Sequence, residues 1–202
     1  MTMKYLQGYP PALVAQAQAL LDSGELAPLL ARKYPEPHEV RSDKALFDYT
    51  QALKQRHLRN ADPLSRVCYD AKLKVVQHAL GTHTRATTKQ GQRLKVRREI
   101  RVATLFKEAP AEFLKMIVVH ELAHLKHPDH DKSFYQLCHH MAPDYAQLEF
   151  DLRLWLSCAD QAAAAAATGT GTAVGGESAP GSDTAATTAP TVTPPASGQT
   201  TR

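Results

Sequence analysis

Two histidines four residues apart, His120 and His124, enclose a carboxylate at Glu121, and a further histidine follows at His130. On a helix, positions i and i+4 lie on one face a turn apart, so the two imidazoles can converge on a single metal ion. Glu121 is turned by about 100° from His120. It is badly placed to ligate beside the histidines and well placed to take a proton from a metal-bound water. His-Glu-x-x-His on a helix is therefore a metal with a base beside it, and the chemistry it suits is hydrolysis. The metal would lower its water's pKa toward about 7 and polarise the electrophile. Glu121 would act as general base and then as proton donor.

The third ligand is read from spacing. His-Glu-x-x-His-x5-His matches the third-histidine placement of the metzincins, with His127 and Pro128 standing where that pattern turns on glycine. His130 is preferred. His127 lies only three residues past His124 on the same helix, and Asp129 or Asp131 is an alternative, as ligand or as acceptor behind one. Zinc suits three histidines; manganese, cobalt or nickel would also load. Tyr135, His83, Arg85 and His139 are candidates to stabilise an oxyanion.

These residues need elements to hold them. A helix is expected over 110–127, with Pro110 in its first turn and Glu112 complementing the dipole. Phe113, Ile117, His120 and His124 form one row, which turns the imidazoles inward. Pro128 ends the helix near His127, because the residue before proline disfavours helical backbone. A sheet is expected over 72–104. Arg93–Val102 alternates with period two, interrupted only at Arg98. Leu94, Val96, Ile100 and Val102 face one side; Arg93, Lys95, Arg97, Glu99 and Arg101 face the other. Gln90-Gly91 is a turn back to a strand at Thr82–Thr88.

The flanks read as helices. Within 1–60, Pro11–Leu21 carries helical spacing, and Ser42 caps a helix with Leu46, Tyr49 and Leu53 on one face. Within 131–157, Phe134, Leu137, Cys138 and Met141 form one stripe, and Tyr145, Leu148, Leu152 and Trp155 another. The class is α+β: a small antiparallel or mixed sheet with flanking helices, in one domain over 1–160. Residues 161–202 are almost wholly Ala, Thr, Gly, Pro and Ser, and are expected to be disordered. Ala162–Ala167 extends the preceding helix until Gly169.

The chain has 202 residues, 43% of them apolar, and a formal charge of +4. That permits an anionic partner without demanding one. Three scattered cysteines make no disulfide framework. With no secretory signal and no apolar run long enough to span a membrane, a cytoplasmic protein is expected.

The run Glu99–Phe134, with Arg101-Val102-Ala103, Ala109-Pro110, Ile117–His127 and His130, resembles the YgjP-like zinc metallopeptidases. Tyr5–Pro10, Asp43–Leu46, Leu148–Asp151 and Arg153–Leu156 extend that resemblance from Met1 to about Ser157. It implies a minimal zincin fold, with His120, His124 and His130 as zinc ligands and Glu121 as the catalytic glutamate. Many members carry Arg-Trp-Gly-Ser on the strand before the basic one; this chain reads Thr82-His83-Thr84-Arg85-Ala86-Thr87 there.

Three functions follow as expectations. The first is a zinc metallopeptidase, whose extended substrate could pair with the edge of Arg93–Val102. The second is a zinc-dependent phosphohydrolase acting on a nucleoside triphosphate such as UTP, with Lys89, Arg93, Lys95, Arg97 and Arg101 as charge partners. The third is a zinc-stabilised module binding nucleic acid through the basic face. An intact Glu121 argues against the third, because a structural site needs no base and closes with a fourth protein ligand.

Overall fold

Short helices punctuated by proline and glycine open the chain. The computed structural model describes residues 3–73, 81–90 and 93–169, with backbone alone for 81–90, 93–97 and 167–169. A 3₁₀ turn at Lys4–Leu6 leads to α1 (Pro11–Asp22) and α2 (Leu26–Lys33). Gly24, at φ +77°, makes the sharp reversal between them, a conformation that costs glycine nothing. Ser42 caps α3 (Asp43–His57), its hydroxyl accepting from Ala45 N at 3.1 Å.

Three strands follow: β1 (Leu64–Asp70), β2 (Gly81–Gln90) and β3 (Arg93–Ala103), in the order β1-β3-β2. The β2–β3 hairpin is antiparallel, pairing Gln90 with Arg93 and Gly81 with Val102. Its Gly91-Gln92 connection lies outside the described residues. β1 runs parallel to β3, so the sheet is mixed and not antiparallel throughout, and Arg93–Val102 lies on its central strand, not on the edge expected to pair with an extended substrate.

β1 escapes a sequence reading because its alternation is broken. Val67 and Cys68 are both buried, and the register slips between Leu64 and Arg66. Opposite that slip lies Arg98, the residue that interrupts the alternation of β3. It sits on the same face as Ile100 and Val102, both fully buried, and its guanidinium is held by Asp62 at 2.6 Å. A cation is tolerated on the core face because it leaves the sheet at its irregular end with a carboxylate partner.

Three helices complete the fold: α4 (Ala111–Ala123), α5 (Lys132–Met141) and α6 (Tyr145–Gly169). α4 is the central element. Phe113, Leu114, Met116, Ile117, Val118, Val119 and Leu122 are all buried, which wraps it in core on nearly every side; it packs against α3, α5, α6 and the sheet. α6 runs through the alanines to Gly169. Residues 170–202, most of the expected disordered tail, lie outside the described residues.

Two buried polar side chains tie distant segments together. Asp151 on α6 accepts from Tyr34 Oη at 2.6 Å, Lys33 Nζ at 2.6 Å and Gln147 Nε2 at 3.1 Å, which joins α2 to α6. His38 accepts from Val40 N through Nδ1 at 3.1 Å, and its Nε2–H donates to the Phe106 carbonyl at 2.8 Å. No helix among the described residues is long and apolar enough to cross a membrane.

Candidate metal centre

α4 ends earlier than Pro128 alone requires. Its last helical residue is Ala123, and His124 stands at the C-cap. From there the amides of Leu125 and Lys126 bond three residues back, to Leu122 and Ala123. The tighter turn brings the His127 carbonyl round to Nδ1 of His124, at 3.0 Å. The chain then reaches Asp131, whose side chain caps α5 by accepting from Phe134 N at 2.8 Å. His130, just before that cap, is thereby returned to the helix it follows.

The three histidines meet. His120, His124 and His130 each offer a ring nitrogen, and these nitrogens lie within 4.8 Å of one another. Nε2 of His120 and Nε2 of His130 are 3.1 Å apart. Two nitrogens bound tetrahedrally to zinc at 2.0–2.1 Å would be separated by about 3.3 Å, so the spacing fits a metal with little movement. Phe134, fully buried, packs against all three rings, with centroids 5.0, 4.7 and 4.7 Å away.

Two of the rings have their far nitrogens engaged. Nδ1 of His120 faces Tyr145 Oη at 2.7 Å, as Nδ1 of His124 faces the His127 carbonyl. A carbonyl only accepts, so Nδ1 of His124 carries the proton and leaves Nε2 with its lone pair. Burial and the neighbouring His124, His130 and Arg153 push the His120 pKa down to about 3. His124 is lowered as well, chiefly by burial. Neutral imidazole is the form that ligates.

Glu121 follows His120 on the helix and is 2% exposed. Its Oε2 is buried with no hydrogen-bond partner, and burial holds its carboxyl up to about 8. An orphaned carboxylate oxygen is expensive in a core unless a cation or substrate completes it. Three converging imidazoles and one orphaned acid are a donor set that could hold a divalent metal.

Above the histidines opens a cleft of about 510 Å³. His120 and His130 form part of its floor, Tyr135 and Arg153 stand on its sides, and Lys4 and Tyr9 come from the N-terminal segment. Among the residues expected at the site, Tyr135 therefore lines the cleft. Asp131 is a helix cap. His139 meets the Pro143 carbonyl at 3.3 Å and is exposed. His83, Arg85, Lys89, Arg93, Lys95 and Arg97 are at known register on β2 and β3, but their side chains lie outside the described residues. Arg101 is already paired, with Glu99 at 3.0 Å and Asp70 at 3.1 Å. It is no free charge partner for a nucleotide.

Sequence reasoning missed Tyr145, Arg153 and the segment from Lys4 to Tyr9. Tyr145 reads as one more residue in an apolar stripe, and only its hydroxyl distinguishes it from core. Lys4 and Tyr9 are more than a hundred residues from the metal helix, and no spacing rule reaches that far.

Residues 71–154 match the model of the YgjP-like metallopeptidase domain. An Escherichia coli (strain K12) protein named UTP pyrophosphatase is 55% identical over 155 residues, covering 77% of this chain and 93% of that protein. The chain belongs to the YgjP-like family. It is a hydrolase by kin. The block matched by the YgjP-like model contains every histidine of the cluster, Glu121, Tyr145 and Arg153, but not the N-terminal wall of the cleft. No solved structure matches the chain.

Proposed function

We propose that this chain is a zinc-dependent hydrolase of nucleoside triphosphates, with His120, His124 and His130 as the metal ligands and Glu121 as general base. The observation that carries the metal assignment is the pairing of Nδ1 of His124 with a carbonyl and Nδ1 of His120 with a hydroxyl, which turns both Nε2 atoms toward His130. Zinc, when bound, would supply a Lewis acid and a lowered pKa for water. Glu121 supplies the base. A dication nearby favours its ionised form over the neutral one that burial alone imposes. Glu121 then takes the proton of the attacking water and returns one to the leaving group. The water oxygen bonds to the α-phosphorus as the bond to the α–β bridging oxygen breaks, giving a nucleoside monophosphate and pyrophosphate.

The nucleotide is supported by the name of the Escherichia coli relative; the cleft's cations, Lys4 and Arg153, each have a carboxylate partner already. A second reading, hydrolysis of a peptide in a zincin-like fold, is supported by the family's description as a metallopeptidase domain. A panel of nucleoside triphosphates and peptides with the zinc-loaded enzyme separates them, using Glu121→Gln as the blank. Release of pyrophosphate from UTP, lost in the variant, is the expected result. Cleavage of peptides alone would overturn the nucleotide assignment, and equal rates with Glu121→Gln would overturn the role of Glu121.

A further inference from the structure

The cleft holds an aromatic ring that the hydrolytic chemistry leaves unused. Tyr135 is 38% exposed, and among the described residues only Leu29 is a comparably exposed large hydrophobic. Exposed rings are ordinary singly, but this one stands in the wall of the cleft that opens on the histidines. It is also fixed. Phe134 packs against it with centroids 5.3 Å apart and planes at 89°. Its centroid is 6.4 Å from that of His130 and 6.4 Å from that of Tyr145.

The rest of the wall mixes Gln7, Gly8 and Tyr9 with an ionic part that is held in place. Arg153 donates to Glu149 at 2.6 Å and to the Tyr5 carbonyl at 3.2 Å, which ties the N-terminal segment to α6. Lys4 pairs with Asp160 at 2.5 Å. The cleft thus sets an exposed aromatic ring beside a histidine cluster that could hold a cation. That is the division of a nucleotide: a flat apolar base at one end, and a chain of negative charge at the other.

We propose that Tyr135 is the platform on which the base of a nucleoside triphosphate stacks, in the cleft that opens on His120 and His130. This rests on the nucleotide reading above. An α-phosphate at the histidine cluster leaves the base one ribose away, and the ring of Tyr135 stands beside His130 at such a remove. Stacking accepts any base, so Tyr135 contributes affinity and does not choose among bases.

Two measurements test it. Hydrolysis of UTP by the wild-type enzyme tests the underlying reading, and its absence overturns that reading and the platform together. Calorimetric titration of the zinc-loaded Glu121→Gln protein, with UTP and with inorganic tripolyphosphate, tests the platform alone. Adding Tyr135→Ala should weaken UTP about tenfold, as loss of one base–aromatic stack does. The ratio of UTP to tripolyphosphate affinity should fall by the same factor, and Tyr135→Phe should restore it. Unaltered UTP affinity in Tyr135→Ala overturns the proposal. So does an equal loss for both ligands, which would make Tyr135 a structural or phosphate-side residue.

Discussion

Tyr145 Oη and His120 Nδ1 are 2.7 Å apart, and this contact aims the central imidazole of the cluster. Tyr145 is fully buried, and burial pushes its phenol far above the usual range, so it stays neutral. With the His120 proton on Nδ1, the phenol oxygen accepts it, and Nε2 turns to the other two histidines. Loss of the hydroxyl would free the tautomer and the ring angle together. Tyr145→Phe should therefore weaken zinc binding about 10–100-fold, the usual effect of removing a partner behind a metal ligand. Competition with a chromophoric chelator measures it. Wild-type affinity in Tyr145→Phe would remove this role.

Glu121 carries a stability penalty with a definite pH window. In the metal-free protein its carboxyl is held up to about 8, above the ordinary 4.5, because it is buried. The folded state therefore favours the protonated acid. The penalty is absent below about pH 4.5, grows as pH rises, and is complete near pH 8. At pH 7 it amounts to roughly 3 kcal/mol as an upper figure. Glu121→Gln lacks the charge, so it should melt higher than the chelator-treated wild type near pH 7 and alongside it near pH 4.5. Parallel melting curves across that range would contradict the assignment.

The same substitution should separate metal binding from turnover. Glu121→Gln should retain zinc in a colorimetric metal count, since the three histidines remain. Its hydrolysis should fall by about 10²–10⁴, the range for loss of a general base. Zinc loss in parallel with activity would make Glu121 a ligand.

Asp151 offers a test of the scaffold away from the metal. It accepts from Tyr34 and Lys33 across the α2–α6 contact and is 4% exposed. Asp151→Ala leaves the Tyr34 hydroxyl without its acceptor, at about 2 kcal/mol. Lys33 is half exposed and finds water instead. Chemical denaturation should register the loss with an unchanged slope against denaturant.

The parts of the site legible in the sequence are those set by local geometry. His120 and His124 meet because a helix repeats, and His130 meets them because Pro128 and the Asp131 cap confine the intervening turn. β3 declares itself by alternation, whereas β1 loses that signal at its register slip. Tyr145 and the Lys4–Tyr9 segment acquire their places only through tertiary packing. His38 shows the converse: a histidine without a motif proves to be a buried tie between two backbone segments.

Two sources of side chains make the cleft, and they are free to change at different rates. His120 in the cleft floor sits on the most enclosed helix of the fold, where nearly any substitution disturbs the core. Part of the wall comes from a short N-terminal segment in which Tyr5 and Leu6 are buried in the core while Lys4 and Gln7 are exposed, so only some of its side chains are held by packing. Selection can therefore revise what enters the cleft without touching the hydrolytic apparatus beneath it. One scaffold can in this way serve enzymes that share a reaction and differ in diet, and sequence drift at the exposed positions 4 and 7 is where such divergence would first be recorded.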